Sequence, residues 1–368
     1  MGKTKKYTVI GAGHGGKAMA AHLALMGIEV TLYNRTFDHI SAISARGGIE
    51  LESYEGGPHG FGELALVTSD IKEAILGADV IMVVVPSSAH KDVSILMAPH
   101  LQDGQTIILH PGRTCGAIEV DKVLRDHHCK AEITVAETET FIYASRSDGP
   151  AEARIFRIKN AISLAALPAT RTKAVLEIIG DVYPQFIDGA NVLSTGLNNM
   201  GAIFHPALTI LNAGRIESTH GDFRFYLDGV TPSVARVLEV LDRERVTVAS
   251  ALGIRARTAM EWLQLAYNVT GANLDEAIHG QSGYYDIMAP NTLNHRYIFE
   301  DVPMSLVPIA ALGQFYGVSV RGIDAIIRLC CLIHGTDYWR RGRTLDKLGL
   351  NGLSVGELTQ YVNEGIRY

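Results

Sequence analysis

A glycine-rich turn close to the start of the chain constrains its fold more than any other feature. Residues 11–16 read Gly-Ala-Gly-His-Gly-Gly, between the apolar run Tyr7–Ile10 and a helical pattern with Met19 and Leu23 on its apolar face. In this context the first glycine permits a tight turn, the second admits a pyrophosphate to the backbone, and the third lets helix and strand pack closely. We therefore predict a dinucleotide-binding βαβ unit rather than a purely structural glycine turn. The predicted cofactor contacts in the turn are Gly11, Gly13, His14, Gly15 and Gly16.

The end of the second predicted strand bears on which dinucleotide is bound. Asn34, 23 residues after Gly11, stands where an acidic residue holds the ribose in NAD-binding domains. The chain instead reads Asn34-Arg35-Thr36, an amide, a guanidinium and a hydroxyl that together can receive a 2′-phosphate. We therefore predict that NADP(H) is favoured over NAD(H). The alternative is that Arg35 lies over the adenine and Thr36 caps the next helix, with NAD bound.

Short apolar runs alternate with helical patterns in the first half of the chain. The runs are Tyr7–Ile10, Glu29–Tyr33, Val80–Val85, Thr106–Leu109 and Ile133–Ala136. Continuous apolar runs suit strands covered on both faces, and their alternation with helices predicts an α/β domain with a doubly wound, mostly parallel sheet. The Gly-rich stretch 49–67 predicts a small antiparallel insertion, and 141–166 predicts further strands that close the domain. We place this Rossmann domain at residues 1–188.

Two of the predicted strands are followed by turns that can line a ligand cleft. Open α/β sheets bind ligands at the carboxyl ends of their strands. We therefore predict that these turns line the nicotinamide half of the cleft, although plain turn chemistry would give the same pattern. The residues concerned are Val85, Pro86, Ser87, Pro111 and Gly112.

Beyond residue 188 the strand-like runs nearly vanish and a 3.6-residue periodicity takes over. Thr231-Pro232 is typical of a helix start, and Gly253 can end the same helix. Further helices are predicted at 304–315, 320–333 and 354–365, the last opening with a capping box of Ser354 and Glu357. The sequence therefore predicts an all-α second domain at residues 189–368.

Charge and composition exclude several classes of protein. Lys and Arg number 33 and Asp and Glu 39, a net charge of −6 with no basic stripe, so no nucleic-acid partner is expected. The four cysteines have neither CxxC spacing nor histidines at zinc-finger spacing, which favours reduced thiols in the cytoplasm and no metal site. Apolar stretches such as Val80–Val85 are too short to cross a bilayer, so no membrane partner is expected.

His205 is the first candidate for proton transfer. Residues 191–212 read as one long helix interrupted at His205-Pro206, because proline cannot donate to the Ala202 carbonyl. On such a helix Asn198, Gly201 and His205 share one face. A histidine held in one direction with small or polar neighbours suits acid–base catalysis, while a buried structural histidine is the alternative.

A second cluster of charged residues follows Asn294. Arg296 can grip a carboxylate with its fixed fork of donors, and Asp301 can orient a histidine and stabilise its charged form. The alternative is a surface ion-pair cluster. The distance in sequence from His205 does not show whether the groups meet.

Taken together, these motifs resemble those of the opine dehydrogenases, and within them the bacterial N-(carboxyalkyl)amino-acid dehydrogenases. The resemblance runs along nearly the whole chain. It is carried by Val9–Gly13, Val83–Pro86, Ala136–Thr138, Phe204–Pro206, Leu211–Ala213, Gly229–Ser233, Phe299–Val302 and Gly342–Leu345. It implies a Rossmann domain joined to a helical domain of the phosphogluconate-dehydrogenase-like type, and NAD(P)H-dependent reductive condensation of an amino acid with a 2-oxo acid such as pyruvate.

The resemblance also implies roles for individual residues. The family's catalytic histidine before a proline falls on His205, and its arginine and aspartate fall on Arg296 and Asp301. Related enzymes often carry an asparagine four residues before the histidine, where this chain has Gly201, and Asn198 is the candidate substitute. The implied substrate-binding residues are Asn198, Gly201 and Arg296.

Three functional hypotheses follow from the sequence. The first is an opine dehydrogenase acting on an amino acid and a 2-oxo acid, and Asn34-Arg35-Thr36 is similar to the NADP-binding segment of phosphogluconate dehydrogenases. The second is a related enzyme that reduces a simple keto acid or oxidises a hydroxy acid. The third is a non-catalytic NADP(H) sensor. The apolar C-terminal helices favour a homodimer.

Overall fold

The computed structural model describes residues 5–54 and 56–368, which divide into two compact units. The first comprises the described residues up to Gly112, together with Gly116–Thr195 and Gln360–Tyr368. The second comprises Arg113–Cys115 and Gly196–Thr359. These units differ from the predicted ranges 1–188 and 189–368, because the chain leaves and re-enters each unit.

Contacts between residues far apart in the sequence explain why the sequence does not predict these passages of the chain from one unit to the other. In the first unit, the Tyr361 hydroxyl and the Arg367 guanidinium both donate to the Asp121 carboxylate, each at 2.8 Å. These bonds attach the end of the chain to the first unit. Such long-range pairs leave no local break in composition.

The described residues of the first unit contain twelve strands, eight of which form the sheet at its centre. The strands are β1 (Lys6–Ile10), β2 (Glu29–Tyr33), β3 (Gly48–Ser53), β4 (Gly60–Glu63), β5 (Leu66–Thr68), β6 (Val80–Val83), β7 (Thr106–Leu109), β8 (Thr134–Thr138), β9 (Tyr143–Gly149), β10 (Glu152–Ile158), β11 (Ile162–Leu167) and β12 (Phe186–Asp188). The sheet order is β12-β11-β8-β7-β6-β1-β2-β5, parallel throughout except where β11 meets β8. The predicted doubly wound, mostly parallel fold is confirmed. All of β6 is fully buried, which is why its sequence is continuously apolar.

A second, four-stranded sheet in the order β4-β3-β10-β9 contains the predicted insertion. Strands β3 and β4 are antiparallel, as predicted, whereas β5 joins the main sheet. This sheet packs against the first helix so closely that a Cβ on Gly62 would lie 2.8 Å from the Ala21 carbonyl oxygen. The insertion therefore covers the helix that follows the glycine turn.

Helices dominate the second unit. The helices of the described chain are α1 (His14–Leu25), α2 (Ser41–Arg46), α3 (Ile71–Ile75), α4 (His90–Met97), α5 (Gly116–Asp126), α6 (Thr172–Ile179), α7 (Val192–Leu197), α8 (Gly201–Leu211), α9 (Ala213–Thr219), α10 (Pro232–Ala251), α11 (Ala259–Tyr267), α12 (Leu274–His279), α13 (Arg296–Phe299), α14 (Val307–Phe315), α15 (Arg321–His334), α16 (Tyr338–Arg341), α17 (Leu345–Leu348) and α18 (Val355–Glu364). A π-helical turn, Val302–Leu306, precedes α14. The predicted cap of Thr231 and the capping box of Ser354 and Glu357 are present. None of the described helices is long and apolar enough to cross a membrane.

The predicted long helix over 191–212 is wrong in one respect. The break lies between α7 and α8, and α8 continues through Pro206. Asn198 and Asn199 occupy the break, where the Asn198 side chain accepts a bond from the Arg257 amide at 2.9 Å. Asparagine side chains compete with helix hydrogen bonds, so this pair ends the helix more effectively than the single missing donor of Pro206.

Candidate active site

Steric contacts constrain three of the glycines in the turn after β1. Gly11 has a φ of +107°, and a Cβ there would lie 2.4 Å from the Val84 carbonyl oxygen. A Cβ on Gly16 would lie 1.8 Å from the Gly11 carbonyl oxygen, closer than atoms can approach. Gly15 faces the Phe141 ring, 2.7 Å from where its Cβ would be. The turn therefore requires glycine for its own packing at these positions.

Gly13 differs, because no described atom lies within 4 Å of where its Cβ would be. Gly13 also forms the N-cap of α1 without a side-chain capping bond, so amide groups of the first helical turn have no side-chain acceptor there. Open space beside bare helix amides suits an anion such as a pyrophosphate. These residues therefore fit the phosphates of a dinucleotide.

His14 is fixed at the start of α1 by the second sheet. Its Nδ1 accepts a hydrogen bond from the Ser147 amide at 2.9 Å. Burial, assisted by the charges of Arg146 and Lys17, lowers the pKa of His14. The neutral ring is thus favoured, which is the form that leaves Nδ1 able to accept.

The glycine turn lies at the position where open sheets bind ligands. Ile10 at the end of β1 pairs with Val83 at the end of β6, and the strand order reverses between these two strands. The turns after β1 and β6 therefore emerge side by side at the carboxyl edge of the sheet. This is the location predicted for Val85, Pro86 and Ser87.

The predicted residues in the two strand-end turns differ in their surroundings. Pro86 is exposed and Val85 is half-buried, whereas Ser87 is buried. A Cβ on Gly112 would lie 2.2 Å from Oε2 of Glu137, so packing against this carboxylate requires glycine at position 112. Pro111 is half-buried beside it. A role for these residues in binding the nicotinamide stays a prediction.

The side chain of Asn34 connects the end of β2 to the glycine turn. Its Oδ1 accepts from the Ala12 amide at 3.3 Å, and its Nδ2 donates to the Thr36 carbonyl at 2.9 Å. Arg35 is exposed and forms no ion pair with residues 5–54 or 56–368. The edge of the cofactor site therefore carries an amide and an available guanidinium, with no carboxylate at position 34.

In the second unit, His205 is held in one orientation from several sides. Its Nδ1 lies 2.9 Å from Oδ2 of Asp301, and its ring stacks on Tyr297 with centroids 4.1 Å apart. A Cβ on Gly201 would come within 3.2 Å of the imidazole. About a fifth of the His205 side chain is exposed, and Nε2 has no hydrogen-bond partner in the described part of the chain. Because an ionised Asp301 can only accept, Nδ1 is the donor of this bond, and in the neutral ring Nε2 then presents its lone pair.

Asp301 belongs to a buried group of charges. Oδ1 of Asp301 forms an ion pair with Nη1 of Arg113 at 3.1 Å, and Oε1 of Glu300 lies 3.6 Å from Nε of Arg113. Burial opposes the ionisation of Asp301, but the Arg113 charge and the His205 hydrogen bond outweigh it and hold the pKa below its usual range. His205 thus faces a charged carboxylate.

Sequence reasoning missed Arg113 and Asn199. The Arg113 side chain is only 11% exposed, and its Nη1 donates to the Asn199 amide oxygen at 3.3 Å. Asn199 in turn donates to the Ser305 hydroxyl at 2.9 Å. Arg113 directly follows the predicted strand-end turn, so extending that argument by one residue would have found it. Asn199 gave no such signal, because its partners are distant in sequence.

Arg296 lies at the exposed end of the same group. Its side chain is 50% exposed, and Nη2 pairs with Oε2 of Glu300 at 2.8 Å. The predicted cluster is therefore partly a structural ion pair and partly an accessible guanidinium. Its predicted role in binding a substrate carboxylate stays a prediction.

The three predicted residues Asn198, Gly201 and His205 do not share a helix face as expected, because Asn198 precedes α8. Asn198 is buried and bonded to the Arg257 amide, whereas Gly201 lies beside both His205 and Arg113. Across residues 5–54 and 56–368, no group of three or more His, Cys, Asp or Glu side chains could hold a metal ion.

Comparisons with known proteins bear directly on this arrangement. A family model described as the NAD/NADP octopine/nopaline dehydrogenase alpha-helical domain matches residues 188–334, and the NAD-binding domain of 6-phosphogluconate dehydrogenase matches residues 6–128. The chain is 40% identical to an opine dehydrogenase of Arthrobacter sp. (strain 1C), over 98% of this chain and 99% of that protein. The chain belongs to the opine dehydrogenase family.

Solved structures agree with this opine dehydrogenase fold. Octopine dehydrogenase with NADH and L-arginine superposes with a TM-score of 0.84 at 20% identity, covering 99% of both chains. Yersinopine dehydrogenase with bound NADP+ gives a TM-score of 0.76 at 15% identity, covering 98% of both chains. The predicted combination of a Rossmann domain and a helical domain is confirmed.

Membership of the opine dehydrogenase family also fixes the class of reaction. The chain is an NAD(P)-dependent oxidoreductase acting on CH–NH groups, as predicted, and it catalyses the reductive condensation of an amino acid with a 2-oxo acid. The glycine turn fits the phosphates of a dinucleotide, and His205 with Asp301 forms a pair suited to proton transfer.

Proposed function

We propose that His205 is the acid–base of this condensation, that Asp301 orients it and balances its charge, and that Arg296 binds a substrate carboxylate. The observation that carries the proposal is the 2.9 Å bond between Nδ1 of His205 and Asp301, which leaves Nε2 without a partner among the described residues. A histidine paired in this way can accept and return one proton during a reaction.

The proton steps follow from this geometry. As the amine nitrogen bonds to the carbonyl carbon of the 2-oxo acid, Nε2 of His205 accepts one proton from the nitrogen and passes it to the oxygen, which gives the carbinolamine. Nε2 then takes the second proton from the nitrogen and delivers it to the carbinolamine hydroxyl, which leaves as water while the C=N bond forms. A bound reduced nicotinamide would supply the hydride that reduces the imine carbon, and the nitrogen takes up one proton from solvent. Asp301 stays ionised throughout and stabilises the imidazolium each time the ring holds a transferred proton.

Arg296 suits the carboxylate of a substrate. Half of its side chain is exposed, while Glu300 fixes its guanidinium from one side through two donor groups at 2.8–2.9 Å. The remaining donors of the planar fork face outward and can bind a carboxylate bidentately. A product with two carboxylates therefore finds an exposed cation near the acid–base.

NADPH is the favoured cofactor in this proposal. Asn34 brings no negative charge to the end of β2, and the exposed Arg35 can pair with a 2′-phosphate. We expect Arg35→Gln to weaken NADPH binding about tenfold, as loss of one charge-assisted pair would, and to leave NADH binding unchanged. Lys130→Gln, which removes an exposed charge on the loop after α5, is the control. Equal NADPH affinity in all three proteins would contradict the cofactor preference.

We further propose a cytoplasmic homodimer. Cys115 and Cys330 are buried and form no disulfide, which suits a reducing compartment, and Leu329, Leu332 and Ile333 expose apolar surface on α15. Sedimentation of the purified protein is expected to give twice the mass of the chain. Conversion to monomers by Leu332→Lys would identify this face as the interface.

A matrix of amino acids against 2-oxo acids tests the reaction as a whole. Oxidation of NADPH and of NADH is followed at the nicotinamide absorbance, with each 2-oxo acid alone and with each amino acid added. We expect oxidation only when both substrates are present. Oxidation by a 2-oxo acid alone, at the same rate, would instead support a simple keto-acid reductase. Cofactor binding without oxidation by any pair would support the sensor.

A further inference from the structure

Charges alternate in sign through the second unit, from the surface to the imidazole. Arg296 pairs with Glu300 at 2.8 Å, Glu300 approaches Arg113 at 3.6 Å, and Arg113 pairs with Asp301 at 3.1 Å. Asp301 then contacts His205 at 2.9 Å. Each of the two carboxylates is therefore balanced by at least one arginine.

Burial makes this balance obligatory. The carboxylates of Glu300 and Asp301 are 1% and 0% exposed, and Arg113 is 11% exposed. Two adjacent carboxylates without a cation would not both stay ionised in such surroundings. Arg113 contacts both carboxylates and is far more buried than Arg296, which is half-exposed.

The surroundings of Arg113 hold its guanidinium in one place. Its Nη1 donates to the Asn199 amide oxygen, and Asn199 is itself tied to Ser305. The absence of a side chain at Gly201 makes room for it, because a Cβ there would lie 2.9 Å from Nη1. Asn199 and Gly201 therefore fix the position of the charge as well as its sign.

We propose that Arg113 is a positioning residue that holds Asp301 charged and directed at Nδ1 of His205, with Glu300 as the counter-charge that aligns both Arg113 and Arg296. This rests on the proposed role of His205 in proton transfer. Arg113 acts through Asp301, because Arg113 pairs with Asp301 and Asp301 in turn contacts His205.

The groups that face Asp301 from each neighbouring segment define the test. They are Arg113, His205, Tyr226, His295, Arg296 and Tyr297, together with the adjacent Glu300. Arg113 and Arg296 are the cations that stay charged at every pH of interest, and Glu300 is the nearest anion in sequence. Removing Arg113 and removing Glu300 should therefore shift the titration of Asp301 in opposite directions.

The experiment is a carboxyl ¹³C titration of Asp301 in the full-length protein, with the resonance assigned by its loss in Asp301→Asn. We expect Arg113→Met to raise the titration midpoint by at least about one pH unit, which is a tenfold change in the ionisation equilibrium. Arg113→Lys should raise it less, because it keeps the charge and loses the planar fork. Glu300→Gln should lower it.

Arg245→Lys is the matched control. It alters another buried arginine that pairs with an aspartate, Asp242, in the same unit, and neither residue contacts His205. We expect it to leave the titration of Asp301 unchanged. Folding of each variant is checked by its thermal melt, and an unchanged midpoint in a folded Arg113→Met protein would overturn the proposal.

Two further measurements test the proposed role of Arg113. If Arg113→Met does not fold, identical midpoints in wild type, Arg113→Lys and Glu300→Gln would overturn the proposal. The acid limb of kcat/KM against pH should move with the Asp301 midpoint, because the reaction needs the ionised carboxylate. The carboxyl titration requires no turnover, so a failed condensation assay would refute the proposed chemistry without deciding the role of Arg113.

Discussion

The glycine turn of the first unit and the charge group of the second unit are built in opposite ways. The charge group consists of Arg113, His205, Arg296, Glu300 and Asp301. The turn uses six consecutive residues, and its shape follows from the contacts of Gly11 and Gly16 with nearby backbone. The charge group draws on positions from Arg113 to Asp301 and depends on pairing buried ions. The backbone site is formed by residues that are neighbours in the sequence, and added atoms disrupt it. The side-chain site is formed by residues that are distant in the sequence, and the loss of a charge disrupts it.

The largest effect is expected from the glycine turn. Gly16→Ala places a Cβ 1.8 Å from the Gly11 carbonyl oxygen, so the turn must open, and we expect cofactor binding to fall by at least about 100-fold. Fluorescence titration with NADPH measures it.

Gly13→Ala is the matched control for this prediction. No described atom lies within 4 Å of its Cβ, so the protein should fold and melt as wild type does. A weaker affinity in this variant alone would mean that the cofactor itself, and not the protein, excludes a side chain at position 13. Wild-type affinity in Gly16→Ala would show that the turn does not form the site.

Removal of the His205 imidazole should impair catalysis without changing cofactor binding. His205→Asn is expected to lower kcat by about 100-fold or more, which is the usual contribution of a positioned acid–base, while NADPH affinity stays at the wild-type value. Steady-state kinetics and a binding titration on the same preparation give both quantities. Unchanged turnover would exclude His205 from the chemistry.

A smaller effect is expected from crowding the charge group without changing its charge. Gly201→Ala places a Cβ 2.9 Å from Nη1 of Arg113 and 3.2 Å from the His205 ring. We expect kcat to fall about tenfold, because small displacements of a catalytic group are costly. Gly214→Ala in α9 meets no described atom within 4 Å and should retain full activity. Equal rates in the two variants would show that the pocket around His205 is not tightly packed.

The smallest effect on activity is expected at Asn198. Its buried side chain accepts from the Arg257 amide, so Asn198→Ala should cost about 1–3 kcal/mol of stability and leave KM for both substrates within about twofold. Thermal melts and steady-state kinetics measure the two effects. A large rise in KM with an unchanged melt would restore the substrate-binding role predicted from the sequence.

Local signals explain which parts of the fold could be predicted. The apolar runs match β1, β2 and β7 closely because strands inside a parallel sheet are largely covered on both faces and are therefore mostly apolar. The helix break at Asn198 and Asn199 was missed because the proline in α8 gives a stronger local signal than two asparagines whose partners are distant. The return of Gln360–Tyr368 to the first unit was missed for the same reason.

The amino-acid sequence by itself determined the dinucleotide turn, the alternation of strands and helices, and the identity of His205, Arg296 and Asp301 as chemically competent groups. These features depend on residues that are neighbours in the chain or repeat at the period of one element. The tertiary structure alone decided that Asp301 meets His205, that buried Arg113 pairs with Asp301, and that Asn198 is bonded to backbone. The physical reason is that the strength of an ion pair depends on distance and burial, and both are set only when distant segments pack together.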